Sequence, residues 1–190
     1  MKRFLIYLVF ALCVIECYSQ SLMFSLHKDG AFLTDDGMNY KVLTFDGKTA
    51  KELYNIVNTN AVSLYKSPNT VMSVNEGVSI SIRGYKENLI GAYGAYYNLI
   101  FEFKDGRMKI NAPLANEMDS SVVDDILWGK GAISRNFGRE VQRRFVRLER
   151  KNAKVAAKAE RELKATENYL NMVVNYLAGL SSASPSNENW

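Results

Sequence analysis

Hydrophobic and polar positions alternate most regularly in the middle of the chain. Val78, Ile80 and Ile82 alternate with Ser79, Ser81 and Arg83, and Tyr97, Leu99, Phe101 and Phe103 alternate with Tyr96, Asn98, Ile100 and Glu102. A period of two predicts strands with one buried face and one wet face. Asp105-Gly106 predicts a hairpin turn, after which Met108, Ile110 and Ala112 continue the alternation as far as Pro113. Upstream, Tyr40 to Phe45 and Thr70 to Asn75 read as further strands, closed by the turn residues Asp46-Gly47 and Glu76-Gly77. Lys86 to Ala92 reads as a loop. Leu22 to Leu26 is a candidate first strand, with Asp35-Asp36-Gly37 as a turn after it.

Elsewhere the period lengthens. Ala50, Leu53, Val57, Ala61 and Leu64 recur every three or four residues and predict a helix that ends before Ser67-Pro68-Asn69. Thr49 and Glu52 have the spacing of a capping box at its start. A short helix is expected from about Asp119 to Trp128, followed by Gly129-Lys130-Gly131. From Asn136 to Ala178 there is no Pro, and Gly138 is the only Gly. Phe137, Val141, Phe145, Leu148, Val155, Ala159, Leu163, Tyr169, Val173, Tyr176 and Leu180 trace a narrow apolar stripe there. A continuous helix of that length would run ~60 Å at 1.5 Å per residue, so it either breaks, near Asn152, or projects beyond the core.

One helix followed by several strands predicts an α+β fold, with an antiparallel sheet of about five strands packed by helices and a long C-terminal helical extension. The expected organisation is an α+β domain over 20–133, a long basic helix or helical hairpin over 134–180, and a disordered tail over 181–190 rich in Ser and Asn.

The first residues read as an address. Met1-Lys2-Arg3 precedes an unbroken apolar run from Phe4 to Ile15. That run is too short for a bilayer-spanning helix, which needs about 20 residues. It fits the apolar region of a signal peptide cleaved near Ser19, which implies an exported, periplasmic or envelope-associated protein. A lipoprotein acylated on Cys17 is the competing reading, although Val14-Ile15-Glu16 is a poor approach to such a site.

Composition then removes whole classes of chemistry. The chain has two Cys and one His in 190 residues. Cys13 and Cys17 both lie in the expected leader, so the mature chain offers no disulfide, thiol nucleophile or thiolate ligand. His27 alone supports neither a multi-His zinc site nor, without a Gly-x-Ser-x-Gly elbow, a serine triad. No cofactor motif is present, since Gly129-Lys130-Gly131 lacks the spacing of a phosphate loop. The carboxylates Asp35, Asp36, Asp119, Asp124 and Asp125 cluster without the spacing of a calcium loop. They leave a carboxylate-dependent hydrolase as a minor alternative to a non-enzymatic role.

Gly37-Met38, Thr49-Ala50-Lys51-Glu52-Leu53-Tyr54 and Phe103-Lys104-Asp105-Gly106-Arg107-Met108-Lys109 together resemble a family of exported bacterial domains of unknown function. That family has a fold like the TATA-box-binding protein. The resemblance covers roughly residues 38–128. It lacks a Trp that the family often carries in its first helix, and the charged C-terminal helix looks like an addition. It implies a TBP-like fold and brings no catalytic residues. Nor does it imply DNA binding, because function resides in sites.

Charge supplies the main binding candidate. Arg139 to Lys164 contains ten Lys or Arg against four Glu, whereas the whole 190-residue chain is only +4. Arg143, Arg144, Arg147, Arg150, Lys151 and Lys154 lie within twelve residues, at spacings that place several on one helical face. The bland reading is a solvated surface that keeps the protein soluble. The functional reading is a contact with an anionic lipid, lipopolysaccharide or an acidic envelope protein. Nucleic acid is disfavoured, because outside the apolar stripe no aromatic in this stretch is available to stack on bases. The stripe itself raises a second alternative, a homo-oligomer formed through the helix, although Glu162 interrupts its sevenfold register. Tyr93, Tyr96 and Tyr97 form a third candidate, a binding patch on a sheet face, against the ordinary role of aromatics as half-buried strand formers. The combined expectation is an exported, non-catalytic binding or assembly module of the cell envelope.

Overall fold

The computed structural model describes residues 22–118, 137–182 and 185, with the side chains of 116–118 left aside. The expected leader with Cys13 and Cys17, the short helix from Asp119, the carboxylates Asp119, Asp124 and Asp125, and most of the expected tail lie outside the described residues.

The alternating segments form one six-stranded antiparallel sheet. Its order is β3 (Tyr40–Thr44), β7 (Arg107–Asn111), β6 (Tyr93–Lys104), β5 (Ser79–Ile90) and β4 (Met72–Asn75), with β8 (Leu114–Met118) also paired to β6. The sheet is thus one strand larger than the sequence predicts. β8 was not anticipated, because the pattern stops at Pro113. Pro has no N–H to donate to a ladder, so pairing lapses there and resumes one residue out of step, with Phe101 opposite Ile110 and Asn98 opposite Leu114. A separate small hairpin joins β1 (Ser25–Leu26) to β2 (Phe32–Leu33).

A second departure concerns Lys86 to Ala92, which is largely strand and not loop. β5 continues to Ile90 with a bulge between Lys86 and Ile90, and only Gly91 and Ala92 turn the chain into β6. Asn88 takes φ +53° in the bulge, a region that Asn tolerates better than most residues. The Leu89 carbonyl accepts from Thr166 Oγ1 at 2.5 Å and the Ile90 carbonyl accepts from Arg144 Nη2 at 3.3 Å. Side chains from distant helices therefore hold the bulge in place, which local pattern could not reveal.

The helix α1 (Ala50–Leu64) has its capping box, with the Thr49 N–H donating to Glu52 Oε2 at 2.7 Å and the Glu52 N–H donating to Thr49 Oγ1 at 3.2 Å. Asp105, in the β6–β7 turn, accepts from the Ala50 N–H at 2.8 Å and ties the helix start to the hairpin. After the single turn α2 (Pro68–Val71) the chain enters the sheet. The basic segment breaks, forming α3 (Phe137–Leu148) and α4 (Ala153–Leu177), with Asn152 as N-cap of α4.

One sheet face is buried. Leu43, Ile80, Ile82, Tyr97, Leu99, Phe101, Phe103, Met108 and Ile110 all lie in the hydrophobic core, beneath Leu53, Val57 and Ala61 of α1 and Leu170, Val173, Val174 and Leu177 of α4. Burying each large aliphatic side chain contributes about 1.5–3 kcal/mol. α4 is accordingly a layer of the core and not a projection from it. Leu170, Val173, Val174 and Leu177 of its apolar stripe pack in the protein's own core. Gly84 is required on this face, since a Cβ there would lie 2.3 Å from the ring of Tyr97, its cross-strand partner.

α4 also clasps the start of the described chain. Asn175 Oδ1 accepts from the Leu22 N–H at 2.8 Å and its Nδ2 donates to the Leu22 carbonyl at 2.6 Å. Asn171 treats Phe24 in the same way, at 2.8 Å for both bonds, and Glu167 Oε2 accepts from the Leu26 N–H at 3.0 Å. The spacing explains the match. Four helical residues rise about 6 Å and two extended residues span ~6.6 Å, so every fourth side chain of α4 meets every second residue of the strand. Leu22, Phe24 and Leu26 are consequently all buried.

Candidate anion-binding elbow

The sequence-predicted cations separate into two groups on the α3–α4 hairpin. Arg144 belongs to the interior, with only 3% of its surface exposed. Its Nη1 donates to Glu140 Oε2 at 2.5 Å, its Nε donates to Glu162 Oε2 at 3.0 Å, and its Nη2 reaches the Ile90 carbonyl. Arg144 was expected among the accessible cations, and the structure corrects this. Two carboxylates and two backbone carbonyls take four of its five N–H donors, and burial withdraws the guanidinium from the surface. Gly91 makes room for it, because a Cβ there would lie 2.8 Å from Arg144 Nη2. Its role is to join α3, α4 and the β5–β6 turn.

The remaining cations face outward. Arg143 is ion-paired with Glu140 but keeps an exposed side chain. Arg150, Lys151 and Lys154 are exposed and Arg147 is half-buried. The break at 149–152 folds α4 back beside α3. In consequence Arg147 and Arg150 from one helix, and Lys154 and Lys158 from the other, line a groove of about 480 Å³ floored by Val155 and Ala159. Asn152 also lines it, and no carboxylate does. Lys158 was not singled out from sequence, because its convergence with Arg147 depends on the elbow. A neighbouring groove of about 360 Å³, lined by Gln142, Arg143, Val146, Arg147 and Arg150, shares both arginines.

Asn152 Oδ1 accepts from the N–H groups of Lys154 and Val155, at 3.1 and 3.3 Å. The first turn of α4 is therefore already capped, and side chains dominate the elbow's electrostatics. Among the described residues Arg147, Arg150 and Lys154 make no side-chain ion pair, and Lys158 has only a 3.9 Å approach to Glu162, whose main partner is Arg144.

The three tyrosines do not form one patch. Tyr97 faces the core, where its hydroxyl lies 3.2 Å from that of Tyr65 and 3.4 Å from that of Tyr169. Burial holds all three phenols well above their usual range. Tyr97 is therefore corrected from candidate binding residue to core residue. Tyr93 is half-buried beside Arg144, 5.8 Å from its ring centroid to the guanidinium carbon. Tyr96 alone reaches the outer sheet face, tilted against Tyr85 at 4.9 Å with Arg83 over its ring at 4.7 Å. Tyr85 stands beside it because the two are cross-strand partners.

No group of three or more His, Cys, Asp or Glu among the described residues could hold a metal ion. Asp35 and Asp36 lie exposed in a turn, where the Thr34 hydroxyl and backbone donors hold the Asp36 carboxyl below its usual range. No helix among the described residues is long and apolar enough to cross a membrane.

No family model matches the chain, and no curated protein matches it. Among solved structures it is similar to a TBP-like protein from Parabacteroides distasonis ATCC 8503, at 13% identity and a TM-score of 0.40. The match covers 73% of this chain and 90% of that one. At that score the likeness decides nothing about function.

Proposed function

We propose that the protein is a non-catalytic binding module of the cell envelope that docks through the α3–α4 elbow onto an anionic surface or partner. The observation that carries this reading is the convergence of Arg147, Arg150, Lys154 and Lys158 around one groove without a carboxylate in its lining. Concentrated like charge is costly to the fold unless a counter-charge arrives. Arg144, on the same helix, shows what a cation looks like when the fold itself employs it. The sheet and its packed helices supply a rigid base, and the elbow supplies the contact. Export follows from the expected leader and belongs to the same proposal.

The test is binding of the chain to anionic vesicles across an ionic-strength series. Exposed charges are screened over about 8 Å at physiological salt, so binding should weaken steeply as salt rises. The double substitution Arg147→Glu, Arg150→Glu should abolish it while leaving the thermal melt in place. Binding that is indifferent to salt would overturn the proposal.

A further inference from the structure

We propose that the elbow recognises phosphate monoester groups of a lipid surface, an inference that rests on the docking role above and narrows it to one ligand chemistry. Two guanidinium and two ammonium groups line the main groove. A carboxylate brings one charge and two oxygens to such a site. A phosphate monoester brings a charge of about −1.5 to −2 and three acceptor oxygens, which suits four converging cations better. Guanidinium forks also bind phosphate oxygens in pairs, whereas an ammonium acts as a point charge.

The acids nearby are engaged elsewhere. Glu140 and Glu162 bind Arg144, and Glu149 lies 3.9 Å from Lys28. The capped first turn of α4 contributes little to anion binding, so specificity must come from the four side chains.

The second groove favours a surface over a soluble ion. It shares Arg147 and Arg150 with the first and adds Arg143 and Val146, which is 44% exposed. A single soluble phosphate would occupy one groove and leave the other unused. Headgroups arrayed on a membrane can meet both grooves, with Val146 at the level of the headgroup–acyl boundary.

The experiment uses the full chain and phosphatidylcholine vesicles doped with one of two anionic lipids at matched surface charge: phosphatidic acid, a phosphomonoester, or a fatty acid, a carboxylate. The expected result is about tenfold tighter binding to the phosphatidic acid vesicles, consistent with bidentate charge-assisted contacts. The variant Arg147→Lys, Arg150→Lys keeps the charge and loses the forks, so it should retain salt-sensitive binding and lose the preference. Circular dichroism and thermal melts confirm that the variant is folded. Equal binding to both vesicle types would overturn the phosphate assignment and leave the docking role standing. Absence of binding to either would overturn the phosphate assignment together with docking onto an anionic lipid surface. Full displacement from vesicles by millimolar inorganic phosphate would assign the groove to a soluble ion and overturn the lipid assignment.

Discussion

Arg144 and Arg147 lie three residues apart on the same helix, yet the fold treats them in opposite ways. Arg144 is enclosed by Glu140, Glu162 and the Ile90 carbonyl, and it holds three elements together. Arg147 lines an open groove with other cations and, among the described residues, has no ion-pair partner. Basic composition is identical at the two positions, so composition says nothing about which one is available. The distinction is set by α4, which brings Glu162 to Arg144 and Lys158 toward Arg147. A buried, ion-paired cation belongs to the architecture, and an unengaged cation among other cations is a candidate for binding.

The largest effect that would sharpen this contrast is the removal of Arg144. Arg144→Ala leaves the buried Glu140 with only the exposed Arg143 as counter-charge, deprives Glu162 of its main partner and removes a donor from the Ile90 carbonyl. Breaking a buried ion pair from one side costs about 3–5 kcal/mol. Urea denaturation should show that loss, and the replacement Arg144→Met should recover part of the packing without recovering the charge. A loss below about 1 kcal/mol would mean that the network is not a structural clamp.

The ladder on α4 comes next. Asn171→Ala removes both bonds to Phe24 and leaves a buried N–H and carbonyl unpaired. Each stranded buried group costs ~1–3 kcal/mol, and the effect should be local first. Hydrogen exchange at Leu22 and Phe24 should accelerate before the amides of β6 respond. Uniform acceleration across the molecule would instead mean that the strand and the sheet open as one unit.

Both of these sites show where the sequence was opaque. α1 was legible because its signals are local: Thr49 and Glu52 cap it, and its apolar face recurs within fifteen residues. The alternation on β6 was equally local, and Tyr97, Leu99, Phe101 and Phe103 all face the core as that pattern implies. Asn171 and Asn175 carried no such signal, for the groups they satisfy lie 147 and 153 residues earlier. Buried amides at i and i+4 in an apolar helix were the available clue. The end of β5 hid for a related reason, since Thr166 and Arg144 supply the bonds that its bulge lacks. At the elbow, the cations could be counted from sequence, but their convergence needed the break after Leu148.

The tyrosine cluster offers a smaller, pH-dependent comparison between interior and surface. Tyr65, Tyr97 and Tyr169 are held un-ionised by burial, with folded pKa values above the ordinary value near 10. The unfolded chain therefore releases these protons first as pH rises. Stability is fully present below about pH 10 and declines above it, by up to ~1.4 kcal/mol per pH unit for each tyrosine. Denaturation at pH 9 and pH 11 should show the decline, and Tyr65→Phe should reduce its slope. An unchanged stability between the two would mean that water reaches the three hydroxyls.

The smallest expected change in stability is at the elbow, and its smallness is what makes it informative. Arg147→Gln and Arg150→Gln remove two cations that the fold does not pair. Substitution of exposed or half-buried side chains that the fold does not pair usually alters stability by no more than about 0.5 kcal/mol. Relief of like-charge repulsion makes a slight gain the favoured sign. Binding to anionic vesicles should nevertheless fall, together with its dependence on salt. Those two readouts move in opposite directions only if the charges serve something outside the chain. A parallel loss of stability and binding would place Arg147 beside Arg144 as a structural residue, and the contrast between them would collapse.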